Sequence, residues 1–229
     1  MPQNDNILVA KDIRKSFGST EALRGIDLAV KKGEILAIMG PSGSGKSTLM
    51  HCLAGIYAPD KGSVEFNGKD LAKLSDKERT VLRRSDIGFI FQFGQLVPEL
   101  AAIDNIALPL ILAGKSRSEA HQMAQPWFEL LGLQHLENRM SSELSGGQAQ
   151  RVAIARALIT KPKVIFADEP TGSLDSLAGE QVMELLTDLA RQHNVATVVV
   201  THEPRTAAYA DREVLVRDGK LTGNKRASA

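Results

Sequence analysis

The run Gly40-Pro41-Ser42-Gly43-Ser44-Gly45-Lys46-Ser47-Thr48 has the residue types and spacing of a P-loop, whose chemistry is the cradling of a nucleoside triphosphate. Gly40, Gly43 and Gly45 lack a Cβ, so the backbone can bend through open φ values and turn several N–H groups inward. A helix starting after Gly45 adds its positive dipole end to the same point. Lys46 is placed to reach the β- and γ-phosphates, and the Ser47 hydroxyl to bind Mg²⁺. Ser42, Ser44 and Thr48 complete the expected contacts to ATP. A glycine-rich turn with an incidental lysine is the plain alternative. It leaves unexplained the apolar strand-like run of residues 34–39 before the motif and the helix-like run of residues 47–54 after it.

Two other constellations carry chemistry. Asp168 closes the apolar run Val164-Ile165-Phe166-Ala167, and a carboxylate at the end of a buried strand can hold the Mg²⁺ shell. Glu169 follows directly; alternation turns it away from Asp168 toward an attacking water, which makes it the candidate general base. Both could instead be strand-end acids facing solvent. Leu144-Ser145-Gly146-Gly147-Gln148 reads as a capped helix start, with Val152, Ala155, Leu158 and Ile159 on one apolar face of the continuation. Gly146 and Gly147 would let backbone N–H groups approach an anion closely, a second phosphate-binding helix start. In isolation such a cap is ordinary.

The elements that must position these residues alternate between strand and helix patterns. Residues 87–91, 164–167 and 197–200 are apolar on both faces, as buried strands of an α/β layer are, and the strand before the P-loop makes a fourth. Residues 7–9, 26–30 and 64–66 read as further strands. Asn67-Gly68 and Asp218-Gly219 are hairpin turns, which suggests an antiparallel sheet built partly from the chain's two ends. From about residue 95 to residue 160 the periodicity is helical, with Ala120, Met123, Ala124, Trp127, Phe128 and Leu131 on one stripe. The expected fold is α/β: a P-loop core with an antiparallel β subdomain and an inserted α-helical subdomain. It forms one domain over residues 1–223, with a polar, disordered tail at 224–229.

Composition narrows the function classes. The 229 residues include 43% hydrophobic ones, enough for a sizeable core, and the formal net charge is only +1. Such a balance argues against a nucleic-acid surface. No apolar run approaches the length of a membrane span. The N-terminus lacks the basic and apolar regions of a signal peptide. A lone cysteine, Cys52, excludes an internal disulfide and is read as packing. The expectation is a soluble cytosolic chain whose membrane role, if any, comes through a partner.

Taken together, the P-loop, the Asp168-Glu169 pair and residues 144–148 resemble the ATP-binding-cassette family, whose signature motif residues 144–148 match. The resemblance covers essentially residues 7–222. It implies that Gln92, after the strand 87–91, is the glutamine that contacts Mg²⁺ and water and hinges toward a membrane partner. Ser173-Leu174-Asp175 then resembles the D-loop, His202 the switch histidine, and Phe17 the aromatic that stacks on adenine. Alone, each is ordinary: a solvated loop glutamine, a structural histidine, a core phenylalanine. The resemblance further implies a head-to-tail homodimer in which each ATP lies between one P-loop and the other copy's Ser145, Gly146, Gly147 and Gln148. It implies an integral membrane permease as partner, and a place on the cytoplasmic face of the inner membrane. Asp168-Glu-Pro-Thr-Gly172 and Gly88-Phe-Ile-Phe-Gln92 resemble the macrolide-exporter, lipoprotein-release and cell-division branch. Departures at Ser141, Ala149 and Ser173 touch no phosphate-binding or catalytic position. The expected partner contact is the apolar loop after Gln92, including Leu96, unless that loop is buried beneath the helical insertion. The alternative function is a soluble clamp of the same family or a cell-division regulator.

Overall fold

The computed structural model describes residues 5–92 and 94–226. Six strands form the central sheet in the order β10-β9-β3-β8-β7-β6, where β3 is Ile35–Met39, β6 Ile87–Phe91, β7 Val164–Asp168, β8 Ala196–Thr201, β9 Arg212–Arg217 and β10 Lys220–Arg226. All neighbours in it are parallel except the terminal pair β9–β10. A second, antiparallel sheet runs β2-β1-β4-β5, with β1 Asn6–Phe17, β2 Thr20–Lys31, β4 Lys61–Phe66 and β5 Lys69–Asp70. The turn at Asn67-Gly68 joins β4 to β5 as expected. The Asp218-Gly219 turn does not feed that sheet. Its hairpin β9–β10 extends the central one, because β9 pairs in parallel with β3 and not with the N-terminal strands. The backbone of residues 224–226, expected as tail, is the end of β10, and residues 227–229 lie outside the described residues.

Strand alternation divides the interior into two cores. In β3 and β7, Ile35, Ala37, Ile165 and Ala167 face a helical cluster, while Leu36, Ile38, Val164 and Phe166 face a cluster shared with the antiparallel sheet. The helical side holds α3 (Ala102–Leu112), α4 (Arg117–Leu130), α5 (Gly146–Leu158) and α6 (Ser176–Gln192). The other side holds α1 (Lys46–Leu53), and α2 (Asp76–Asp86) leads into β6. A short α7 (Pro204–Ala207) follows β8. Between β6 and β7 the regular elements among the described residues are helical. On the stripe expected in α4, Ala120, Ala124, Phe128 and Leu131 are buried, but Met123 is 38% exposed. Trp127 is half-buried against the helical core. Cys52 is buried at 1% exposure, and that burial pushes its thiol up to about 11, so it stays an inert packing group.

The register decides where chemistry can occur. Met39 lies beside Thr201, and Phe91 and Val200 both lie beside Asp168. The C-terminal ends of β3, β6, β7 and β8 therefore finish along one edge, where open α/β sheets bind ligands.

Candidate active site

A cleft of about 890 Å³ opens at that edge. Its floor is the P-loop. Gly40, Gly43 and Gly45 take φ of 148°, 75° and 105°, values that L side chains avoid. A Cβ at Gly40 would lie 2.1 Å from the Val216 carbonyl oxygen, and one at Gly45 2.6 Å from that of Ala22. Only glycine lets the loop pack this closely while leaving α1 to start beneath it. Lys46 is 8% exposed, and its Nζ folds back to donate to the Pro41 carbonyl at 2.9 Å. The Ser44 hydroxyl is buried with no hydrogen-bond partner among the described residues. An ammonium held by one carbonyl and a helix N-terminus together form a cradle for a bound anion.

Ser47 Oγ lies 3.5 Å from Asp168 Oδ1 across the cleft. Burial, and to a lesser degree the neighbouring Glu169, pushes the Asp168 carboxyl above its usual range; Ser47, His51 and Lys46 oppose that. Glu169 sits at φ 47° with its N–H on the Val200 carbonyl at 2.8 Å. This left-handed bend turns its carboxylate to the end of β8. There Oε2 accepts from Thr201 Oγ1 at 3.1 Å, and Oε1 lies 2.7 Å from His202 Nδ1. The bond to Glu169, reinforced by its charge, raises the His202 pKa above the usual imidazole value. Gln92 reaches toward Gly172, where a Cβ would meet its Nε2 at 2.7 Å.

Of the residues singled out in the sequence, Ser42, Gly43, Gly45, Lys46, Ser47, Thr48, Gln92, Asp168, Glu169 and His202 all line this cleft. Gly40 and Ser44 lie beneath its floor. Phe17 stands at the tip of the β1–β2 hairpin, 46% exposed, beyond the lining residues. Ser145, Gly146, Gly147, Gln148 and Asp175 form a separate group. Ser145 caps α5 through Gln148 N at 3.3 Å, and Gln148 Oε1 returns a bond to Ser145 N at 2.8 Å. Asp175 caps α6 through Ala178 N at 3.0 Å, and Gly146 packs where a Cβ would meet Leu174 at 3.0 Å. None of this second group lines the cleft of its own chain.

The structure adds cleft residues that sequence reasoning missed. Asp218 and Gly219 line the cleft, with Gly219 N on the Ser44 carbonyl at 3.0 Å and Arg24 N on the Gly219 carbonyl at 2.8 Å. Their turn signal was legible; its position beside the P-loop follows only from the pairing of β9 with β3. Thr20, Glu21 and Ala22 enter from the β1–β2 hairpin. The loop after Gln92 is also anchored from below. Arg156 donates to the Gly94 and Gln95 carbonyls at 2.7 and 2.9 Å, and buried Asn105 bonds both backbone groups of Val97. Leu96 is half-buried against the helical core.

The family model described as ABC transporter matches residues 23–172. The chain is 44% identical over 222 residues to the lipoprotein-releasing system ATP-binding protein LolD 2 of Caulobacter vibrioides, covering 95% of this chain and 97% of that protein. It is 46% identical over 221 residues to the LolD protein of Shewanella sp. (strain MR-7), covering 95% and 96%. A solved dimeric structure of MJ0796, described as a bacterial ABC transporter cassette, superposes with a TM-score of 0.88 at 37% identity, covering 97% of this chain and 99% of that one. The same cassette has been solved as a dimer in a post-hydrolysis state bound to ADP and Pi, with a TM-score of 0.87. With the P-loop cradle, the Asp168-Glu169 strand end and the capped helix at Ser145 all present, this chain belongs to the ABC transporter family, as one of its ATP-binding and ATP-hydrolysing subunits.

Proposed function

We propose that this subunit works as a head-to-tail homodimer on the cytoplasmic face of an inner membrane, driving an integral permease that releases lipoproteins. One observation carries the dimer. The capped, glycine-bearing start of α5 is built to meet an anion, yet it lies apart from the P-loop cleft of its own chain. A second copy related by a two-fold axis would bring each α5 start to the other copy's phosphates. A γ-phosphate gripped from both sides favours the closed pair, and its loss on hydrolysis removes part of that attraction.

Within each cleft, the P-loop N–H groups and Lys46 hold the phosphates. Ser47 and Asp168, joined by Gln92, are the protein ligands that fit Mg²⁺. Among the described residues no cluster of three His, Cys, Asp or Glu could hold a metal; with Ser47, Asp168 and Gln92 as protein ligands, phosphate oxygens would complete the shell of a bound Mg²⁺. When bound, magnesium supplies charge neutralisation at the β- and γ-oxygens. Glu169 takes the proton of the attacking water, and Thr201 and His202 hold its carboxylate toward the cleft mouth. Phe17 stacks on the adenine.

Lipoprotein as cargo rests on the two LolD relatives, both named for lipoprotein release. Among the described residues no helix is long and apolar enough to cross a membrane, so the membrane contact belongs to a partner. The surface that suits it is an apolar groove of about 610 Å³ between α2, α3 and β6, where Ile56, Phe89 and Leu112 are flanked by Arg83, Arg84 and Arg156. It adjoins Gln95 and so the Gln92 loop. Leu112 is 60% exposed there and tolerates a polar substitution without cost to the core. Leu112→Asp should keep ATP binding and lose stimulation of ATP turnover by the co-expressed permease. Full stimulation by the permease would remove the groove from the reading.

A further inference from the structure

Tyr57, on the turn after α1, stands against Phe17 at 5.5 Å between ring centroids with an interplanar angle of 71°. Its other neighbour is His51, at 5.2 Å and 85°. Both are edge-to-face arrangements, the geometry that aromatic quadrupoles favour. His51 lies one turn along α1 from Ser47, and burial lowers its pKa below the usual imidazole value. The backbone secures the same turn: the Ile56 and Tyr57 N–H groups donate to the His51 carbonyl at 2.9 and 3.2 Å. Three residues on, Asp60 ties the turn to β1. Its carboxylate accepts from Lys15 Nζ at 2.8 Å and from Ser16 N at 2.7 Å, and its own N–H donates to the Arg14 carbonyl at 2.8 Å. Lys15 Nζ in turn stands over the Phe17 ring at 5.7 Å.

These contacts have a consequence for nucleotide binding. Phe17 is 46% exposed at a hairpin tip, where an unsupported phenyl ring would sample several rotamers. The chain His51–Tyr57–Phe17 ties that ring to the helix that carries Lys46 and Ser47. The spacing between a base platform and the phosphate cradle is therefore fixed by ring contacts to one helix, not by the hairpin alone. We propose that Tyr57 is a positioning residue for nucleotide binding: its ring fixes Phe17 in the orientation that receives a purine base, at a set distance from the P-loop. The inference rests on the reading that Phe17 stacks on the base. Stacking acts on the aromatic face that the two purines share, so the platform serves ATP and GTP alike.

The test uses the purified full chain with Mg²⁺, measuring KM and kcat for ATP and GTP and the inhibition constant of inorganic tripolyphosphate, which has phosphates and no base. Tyr57→Ala should raise KM for both nucleotides roughly three- to tenfold, the range an edge-to-face pair supports. It should leave kcat and tripolyphosphate inhibition unchanged. Tyr57→Phe should restore the wild-type KM, since the ring and not the hydroxyl makes the contact. A normal KM in Tyr57→Ala beside a raised KM in Phe17→Ala would overturn the positioning role and leave stacking intact. A normal KM in both would overturn the stacking reading itself. Equal weakening of tripolyphosphate and ATP would also overturn the proposal, because Tyr57 would then act on α1 and not on the base platform.

Discussion

Replacing Glu169 by glutamine separates catalysis from binding more cleanly than any other change in this cleft. The two oxygens of Glu169 have distinct neighbours: Thr201 Oγ1 at 3.1 Å and His202 Nδ1 at 2.7 Å. A glutamine amide can keep both contacts, accepting from Thr201 through its oxygen and donating to a neutral imidazole through its nitrogen. The lost charge costs the fold little. His202 is 62% exposed in this pair, and so open an ion pair contributes about 1 kcal/mol at most. The Ser47–Asp168 pair and the Lys46 ammonium are untouched, so ATP and Mg²⁺ should bind as before. What disappears is the proposed proton acceptor. A positioned general base contributes roughly 100- to 10,000-fold. At about 1.4 kcal/mol per decade, that raises the barrier by roughly 3–5 kcal/mol. Phosphate release at saturating MgATP should fall by that factor while equilibrium ATP affinity stays within about twofold. Gel filtration with ATP should show a stable dimer, because in the proposed head-to-tail pair the γ-phosphate that would bridge the copies persists. Turnover within about tenfold of wild type would refute the assignment and require another base.

Three other outcomes follow from the same geometry. Gly45→Ala places a methyl 2.6 Å from the Ala22 carbonyl oxygen at φ 105°; it should abolish ATP binding in calorimetry, and an unchanged affinity would contradict the cradle. Ser145→Arg and Lys46→Ala should each block turnover alone, yet mixing them should recover activity from the composite site that unites the intact P-loop with the intact α5 start. No recovery in the mixture would count against the head-to-tail pairing. The raised pKa of His202 predicts an NMR titration above the ordinary 6.5 in the nucleotide-free protein, moving back toward it in Glu169→Gln. Because the folded value lies above the unfolded one, the pair's stabilisation is complete below the unfolded pKa and fades as pH rises through the folded one. A titration that Glu169→Gln leaves in place would show that the contact is not electrostatic.

Much of this site was legible because its determinants are local. Three glycines, a lysine and a serine in nine residues dictate a loop of positive φ leading into a helix, and the loop adopts it. The Ser145 cap is equally local; the structure bears it out and adds the reciprocal bond that Gln148 Oε1 accepts from Ser145 N. Asp168 at the end of an apolar run needed only strand alternation. Elsewhere local rules gave less. The stripe in α4 placed Met123 inward, but packing against α3 occupies a narrower face than the sequence stripe spans, and Met123 stays outside. Leu96 read as interface ahead of burial; its contact with the helical core and the anchors at Arg156 and Asn105 hold its loop against the helical subdomain.

By itself the sequence determined which residues could bind phosphate, hold a metal and take a proton, because those capacities reside in residue type and short spacing. It also determined the alternation of strands and helices that carries them. Only the tertiary structure decided that the ends of β3, β6, β7 and β8 share one edge, which brings Lys46, Asp168, Glu169 and His202 into one cleft. It alone sent the Asp218-Gly219 hairpin to the central sheet, set Tyr57 against Phe17, and held Ser145 apart from its own P-loop. Strand order and register are set by the burial of whole sheet faces across long sequence separations, and no short window of residues contains that information.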